Sequence, residues 1–231
     1  MEIHGLNRLT LLDYPDRVAC TIFTGHCNFR CPFCQNSMLV LDPGAEPQIR
    51  EEEVMDFLTS RKGRLKGVCI SGGEPTLQPD LREFIVRIRA LGYPVKLDTN
   101  GYRPDVLEQL LGEGLLDMVA MDIKSSRRNY GQAAGVPDLD VSRIERSAAL
   151  LMRGTVPFEF RTTMVRQLQT YEDMMEIAQW LAGDEPYFLQ SYEDSEGVMD
   201  RQLSAFTKEE LREMLELLHS GIPNARLRGV D

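Results

Sequence analysis

The sequence predicts an α/β fold built on a parallel sheet, and three observations point there. Apolar runs of strand length alternate with amphipathic helical segments almost from end to end. Glycines fall where those helices should stop. No Pro/Gly/Ser-rich linker, internal repeat or low-complexity tract interrupts the 231 residues, so a single domain over 1–231 is the simplest reading. Strands separated by helices of about 10–15 residues imply βαβ units. Six such strands suit an open doubly wound sheet or an incomplete barrel, and periodicity does not choose between them.

Taken in order, strand-like runs occur at Val18–Thr24, Gly67–Ser71, Val95–Asp98, Met118–Asp122, Phe158–Met164 and Tyr187–Gln190. The helical stretches are Glu51–Ser60, Val141–Met152, Tyr171–Leu181 and Lys208–His219. Two more show a clear apolar face, one through Leu81, Phe84, Ile85, Ile88 and Leu91, the other through Val106, Leu107, Leu110 and Leu111. Gly92, Gly112 and Gly221 mark expected helix ends.

The unusual polar residues gather at strand ends. Cys27 follows the first strand, Gly72-Gly73-Glu74-Pro75 the second, and Asp98-Thr99-Asn100-Gly101 closes the third. Asp122-Ile123-Lys124 closes the fourth, Arg161 lies within the fifth, and Gln190-Ser191-Tyr192 closes the sixth. In parallel α/β folds the carboxyl ends of the strands form the active face. Chemistry is therefore expected on one rim of the sheet.

Composition excludes several classes. At 42% hydrophobic and 27% charged the chain can bury a substantial core. A formal charge of −10 argues against a nucleic-acid binder, which would carry a basic stripe. No apolar stretch approaches the roughly 20 residues that span a bilayer. Met1-Glu2-Ile3-His4 does not open a secretory signal, so a cytoplasmic location is expected. Five cysteines are too few for a disulfide scaffold, and their clustering favours metal or redox chemistry. Cys20 and Cys69 lie inside apolar strands and read as small buried hydrophobes.

The other three form Cys27-Asn28-Phe29-Arg30-Cys31-Pro32-Phe33-Cys34. That loop supplies three thiolates to one centre and withholds a fourth. An iron–sulfur cube held this way keeps one iron open to a substrate, whereas four cysteines suit a cluster that only carries electrons. Zinc is an alternative, with His26 beside Cys27, although no further paired ligands follow. A dithiol oxidoreductase built on Cys31-Pro32-Phe33-Cys34 is another, with Thr155-Val156-Pro157 similar to a glutaredoxin proline loop. It leaves Cys27 and the glycine-rich strand ends without a role.

The cysteine loop with Phe33, followed by Gly72-Gly73-Glu74-Pro75, resembles the radical S-adenosylmethionine (SAM) superfamily. Leu12-Asp13-Tyr14-Pro15 leading into Phe23-Thr24-Gly25-His26-Cys27 is similar to activating proteins of anaerobic ribonucleoside-triphosphate reductase. Leu97-Asp98-Thr99-Asn100-Gly101 and Met121-Asp122-Ile123-Lys124 resemble pyruvate formate-lyase activase. The resemblance implies a partial (β/α)6 barrel and a [4Fe–4S] cluster on Cys27, Cys31 and Cys34. It implies reductive cleavage of SAM and a glycyl radical formed on a partner, with flavodoxin or ferredoxin as electron donor. It also implies SAM contacts from Phe33, Gly72, Gly73, Glu74, Asn100, Arg161 and Gln190. Glu74 would hold the methionine amino group, Lys124 the carboxylate, and Asp122 the ribose. Asp98, Thr99 and Asp122 would be the oxygen ligands of a monovalent cation, Na+ or K+. Where formate-lyase activases carry a histidine after strand six, this chain has Leu189-Gln190-Ser191-Tyr192.

Overall fold

A computed structural model describes residues 1–45 and 47–230. Eight strands form one sheet: β1 (Ile3–Thr10), β2 (Ala19–Thr24), β3 (Gly67–Gly72), β4 (Val95–Thr99), β5 (Met118–Asp122), β6 (Phe158–Met164), β7 (Tyr187–Ser191) and β8 (Ala225–Arg228). Their spatial order is their chain order, β1 to β8. β1 runs antiparallel to β2, and every later pair is parallel. A doubly wound sheet would reverse order at a switch point. Here each crossover steps the same way, and right-handed crossovers then put all helices on one face. The sheet curls around its other face as a partial (β/α) barrel whose edge strands, β1 and β8, are not paired with each other among the described residues.

Between the strands lie α1 (Ser37–Leu41), α2 (Glu51–Ser60), α3 (Leu81–Ala90), α4 (Pro104–Gly112), α5 (Tyr130–Ala134), α6 (Val141–Leu151), α7 (Tyr171–Trp180) and α8 (Lys208–His219). Their ends follow local chemistry. α7 and α8 begin with reciprocal capping boxes, Thr170 with Asp173 and Thr207 with Glu210. Gly92 supplies the left-handed residue after α3, at φ +89°. Gly112 is still helical, and the stop after α4 is Gly114, at φ +65°. Gly221 answers to packing instead, because a Cβ there would meet the Ala178 carbonyl oxygen at 2.0 Å.

Alternation along each strand divides the sheet into two chemistries. Cys20, Ile22, Val68, Ile70, Leu97 and Val119 point toward the helices and join a single apolar core. Between them Lys96, Asp98, Asp122, Glu159 and Arg161 point to the concave face. Cys69 is fully buried but lies outside that core, on the concave side near Asp98, Lys96 and Arg161. Among the described residues no helix is long and apolar enough to cross a membrane.

Candidate active site

The cysteine loop leaves the top of β2 and is pinned by main-chain bonds on three sides. Gly25 N donates to Glu2 O (2.9 Å), His26 N to Leu39 O (2.8 Å) and Arg30 N to Ala134 O (2.8 Å). Gly135, left-handed at φ +65°, lets α5 end close against the Arg30 carbonyl, 2.0 Å from where a Cβ would stand. Cys31 is buried and Cys27 and Cys34 are partly so. Cys27 Sγ accepts from Phe29 N at 3.3 Å and from Asn100 Nδ2 at 3.8 Å. Burial pushes the Cys27 thiol up to about 12, with the Glu74 charge adding to it. Burial also takes Cys31 to about 11 against the pull of Lys124, and raises Cys34.

Among the described residues no three or more His, Cys, Asp or Glu side chains are already drawn into a metal cage. The cysteine loop nevertheless fits a thiolate-held cluster. Cys27 and Cys34 each lie near enough to Cys31 for their thiolate charges to repel, and a cationic metal relieves that repulsion. Soft sulfur donors suit iron–sulfur centres, and N–H donors aimed at the sulfur tune them. The rival readings find less support. His26 Nε2 is held by Glu2 at 2.7 Å, and Pro157 precedes β6 at the opposite end of the sheet from Cys31 and Cys34.

The glycine-rich segment after β3 lies across this loop. Gly73 N donates to Thr24 O (2.9 Å) and Glu74 N to His26 O (2.7 Å). A Cβ on Gly72 would come within 2.3 Å of Thr24 N, and one on Gly73 within 1.9 Å of His26 O. Close approach therefore requires both glycines, Gly72 against the end of β2 and Gly73 against the cluster loop, in addition to the approach to a ligand that the sequence suggested. Glu74 differs from expectation. Its side chain is 1% exposed and its oxygens accept from Thr76 N (3.1 Å), Thr76 Oγ1 (2.5 Å), Thr99 Oγ1 (2.7 Å) and Asn100 N (2.7 Å). Burial pushes its pKa above the usual carboxylate value against the pull of those donors. The carboxylate ties β3 to the end of β4 and is not an open acceptor. Asn100 completes the link, donating to Asn28 Oδ1 at 2.9 Å beside Cys27.

Below the rim a chain of ion pairs crosses the concave face. Lys96 Nζ donates to Asp98 Oδ1, and Asp98 Oδ2 faces Ser71 Oγ (3.2 Å) and Arg161 Nη1 (3.4 Å). Arg161 Nε donates to Asp122 Oδ1 (2.9 Å), and Asp122 Oδ2 takes Lys124 Nζ (3.1 Å). Lys124 also sits over the Phe33 ring, 5.7 Å from its centroid, which joins the chain to the cysteine loop. Glu159 is bound in two-point fashion by Arg228 (3.2 and 3.0 Å) and lies 4.0 Å from Arg161. Burial of Asp122 would raise its pKa, but Arg161 and Lys124 outweigh that and hold it at about 2. Asp98 is likewise held below the usual range by Arg161 and Lys96 in spite of its desolvation.

The structure thus gathers Cys27, Cys31, Cys34, Phe33, Asp98, Asn100, Asp122, Lys124 and Arg161 at one end of the sheet. Gln190 stands in register with Thr163 and Arg228, and alternation puts it on the concave side. Of the three residues expected to share an alkali ion, Asp98 and Asp122 both face Arg161, but the Thr99 hydroxyl does not join them. Thr99 alternates to the other side of β4 from Asp98, so its hydroxyl serves Glu74. Sequence reasoning missed Lys96 and Arg228. Lys96 was legible as the inward neighbour of Asp98 two residues back, whereas Arg228 lies on β8, a strand too short to signal itself.

Residues 21–181 match the sequence pattern of the radical SAM superfamily. A Methanocaldococcus jannaschii protein named for glycyl-radical enzyme activation is 30% identical over 99% of this chain and 96% of its own length. A Thermococcus kodakarensis protein named as a GTP 3′,8-cyclase is 30% identical over 67% of this chain, which spans half the length of that relative. Among solved structures, Streptococcus suis SuiB bound to the precursor peptide SuiA superposes with a TM-score of 0.71 over 90% of this chain and 48% of its own, at 16% identity. A domain of a pyruvate-formate lyase-activating enzyme from Bacteroides vulgatus gives 0.56 over 71% of this chain and 99% of its own, at 20% identity. With the triple-cysteine loop at the head of β2 and the partial barrel beneath it, the match is to the whole architecture: the chain belongs to the radical SAM superfamily.

Proposed function

We propose that this chain is a radical SAM activase that installs a glycyl radical on a partner enzyme, anaerobic ribonucleoside-triphosphate reductase being the partner its sequence motifs favour. The observation that carries the reading is the Cys27–Cys31–Cys34 loop set above a charged concave face, in a chain similar over nearly its whole length to a protein named for this activity. Cys27, Cys31 and Cys34 would hold the [4Fe–4S] cluster, leaving one iron for SAM. Cluster and SAM together would supply reductive cleavage to methionine and a 5′-deoxyadenosyl radical, which takes hydrogen from a partner glycine.

This chain's residues would position and shield that chemistry, since the cofactors carry the difficult steps. Phe29 N and Asn100 Nδ2 steady the Cys27 sulfur. Lys124 and Arg161 present positive charge to an amino-acid carboxylate, each oriented by Asp122. The unpaired edges of the barrel leave a mouth suited to a protein loop, and flavodoxin or ferredoxin is the electron donor proposed.

After anaerobic reconstitution with iron and sulfide, dithionite and SAM are expected to yield 5′-deoxyadenosine, and Cys31→Ala to lose both the cluster spectrum and the cleavage. No 5′-deoxyadenosine from the wild type would sink the reading. Mixing with the reductase should produce a glycyl-radical EPR doublet; cleavage without a doublet would reject that partner and leave the SAM chemistry standing.

A further inference from the structure

The deepest member of the ion-pair chain has no role in the reading above. Lys96 is 1% exposed, and among the described residues its one acceptor is Asp98 Oδ1. Taking an ammonium out of water costs several kcal/mol, and only a well-placed anion offsets this. By stability alone an apolar residue would serve as well at this point of the barrel. The charge therefore needs another account.

That account follows from which oxygens are engaged. Asp98 Oδ1 holds Lys96, while Asp98 Oδ2 faces Ser71 and Arg161. Asp122 Oδ1 holds Arg161 and Oδ2 holds Lys124. The Thr99 hydroxyl donates to Glu74 and accepts from Gly101 N at 3.1 Å. Each of these side-chain oxygens, the ones expected to hold a monovalent cation, is bound to one of the chain's own cations or donors. The connected network holds four cations (Lys96, Lys124, Arg161, Arg228) and three carboxylates (Asp98, Asp122, Glu159). A further metal ion would increase the positive excess, whereas the carboxylate of an arriving amino-acid-type ligand would cancel it. An alkali ion does not fit here.

We propose that Lys96 is the built-in cation of this site, standing in for an alkali ion beside Asp98, so that SAM binding is independent of sodium and potassium. Lys96 is a positioning residue: it fixes Asp98, and Asp98 with Asp122 fixes the Arg161 guanidinium on the concave face. The inference rests on the SAM reading above.

Equilibrium dialysis of labelled SAM against the reconstituted enzyme tests it, with tetramethylammonium, sodium or potassium chloride at equal ionic strength. Wild-type affinity should agree within about twofold across the three salts, and Lys96→Ala should bind roughly tenfold or more weakly in tetramethylammonium. Sodium or potassium should restore most of that loss by occupying the place the ammonium left. A merely structural lysine would show no such rescue. Wild-type binding roughly tenfold weaker in tetramethylammonium would overturn the proposal. So would a Lys96→Ala protein that binds like wild type there, or a loss that no alkali ion repairs. If Lys96→Ala fails to fold, the wild-type comparison decides alone, and Lys96→Met/Asp98→Asn, which removes both buried charges, should bind equally in all three salts. Absence of SAM binding by the wild type in every salt would instead remove the SAM reading, and the proposal with it.

Discussion

At Gly73 a single methyl group is enough to separate two loops. Its Cβ would stand 1.9 Å from the His26 carbonyl oxygen, which itself accepts from Glu74 N and cannot withdraw freely. Backbone, unlike the end of a flexible side chain, does not give way cheaply. Gly73→Ala is expected to destabilise the protein by about 3 kcal/mol or more, the scale of overpacking and lost buried hydrogen bonds together. Thermal unfolding of the apo protein checks this, and an unchanged midpoint would refute the close approach. The same residue scale explains Glu74. A lone glutamate after two glycines reads as a ligand group, because sequence shows its charge but not the four donors that close around it.

Among elements, the loop between β7 and α8 does more than connect them. Asp200 N donates to Pro32 O (2.9 Å), Gln35 Nε2 donates to Glu193 O (3.2 Å), and Gly197 packs where a Cβ would lie 2.3 Å from Gln35 O. This segment braces the cysteine loop from outside. Gly197→Ala should therefore loosen the cluster loop, and the reconstituted variant should lose its visible absorbance in air several-fold faster than wild type; equal bleaching rates would contradict the brace. The six inner strands and the six longer helices were legible, since apolar periodicity carries them. β1 and β8 were not. β1 is half solvent-facing with Asn7, Arg8 and Leu9 exposed in a row, and β8 is four residues long. Their pairing comes from the neighbouring strand, not from their own pattern.

Across the whole molecule the concave face behaves as one electrostatic unit spanning β4, β5, β6 and β8. Asp122 gives this unit a pH response. Asp122 moves from 3.8 to about 2 on folding, so its pairing stabilises the protein fully above about pH 4 and is lost as pH falls through about 2. Asp122→Asn should lower the unfolding midpoint near neutrality, and the gap from wild type should close in strong acid. A gap that persisted below about pH 2 would show that packing, not charge, was lost.

The sequence by itself determined the α/β class, the inner strands, the cysteine triplet and the gathering of polar residues at the strand ends. These depend on local periodicity and on short spacings that one loop can hold. The tertiary structure decided the rest. Consecutive strand order makes the sheet a partial barrel. Interlocked backbones leave no room for a Cβ at Gly72 or Gly73. The concave face sets Lys96 against Asp98 and Arg161 against Asp122. Each of these is a contact between residues far apart in the chain, and a contact of that kind has no signature until the sheet curls and brings its strands together.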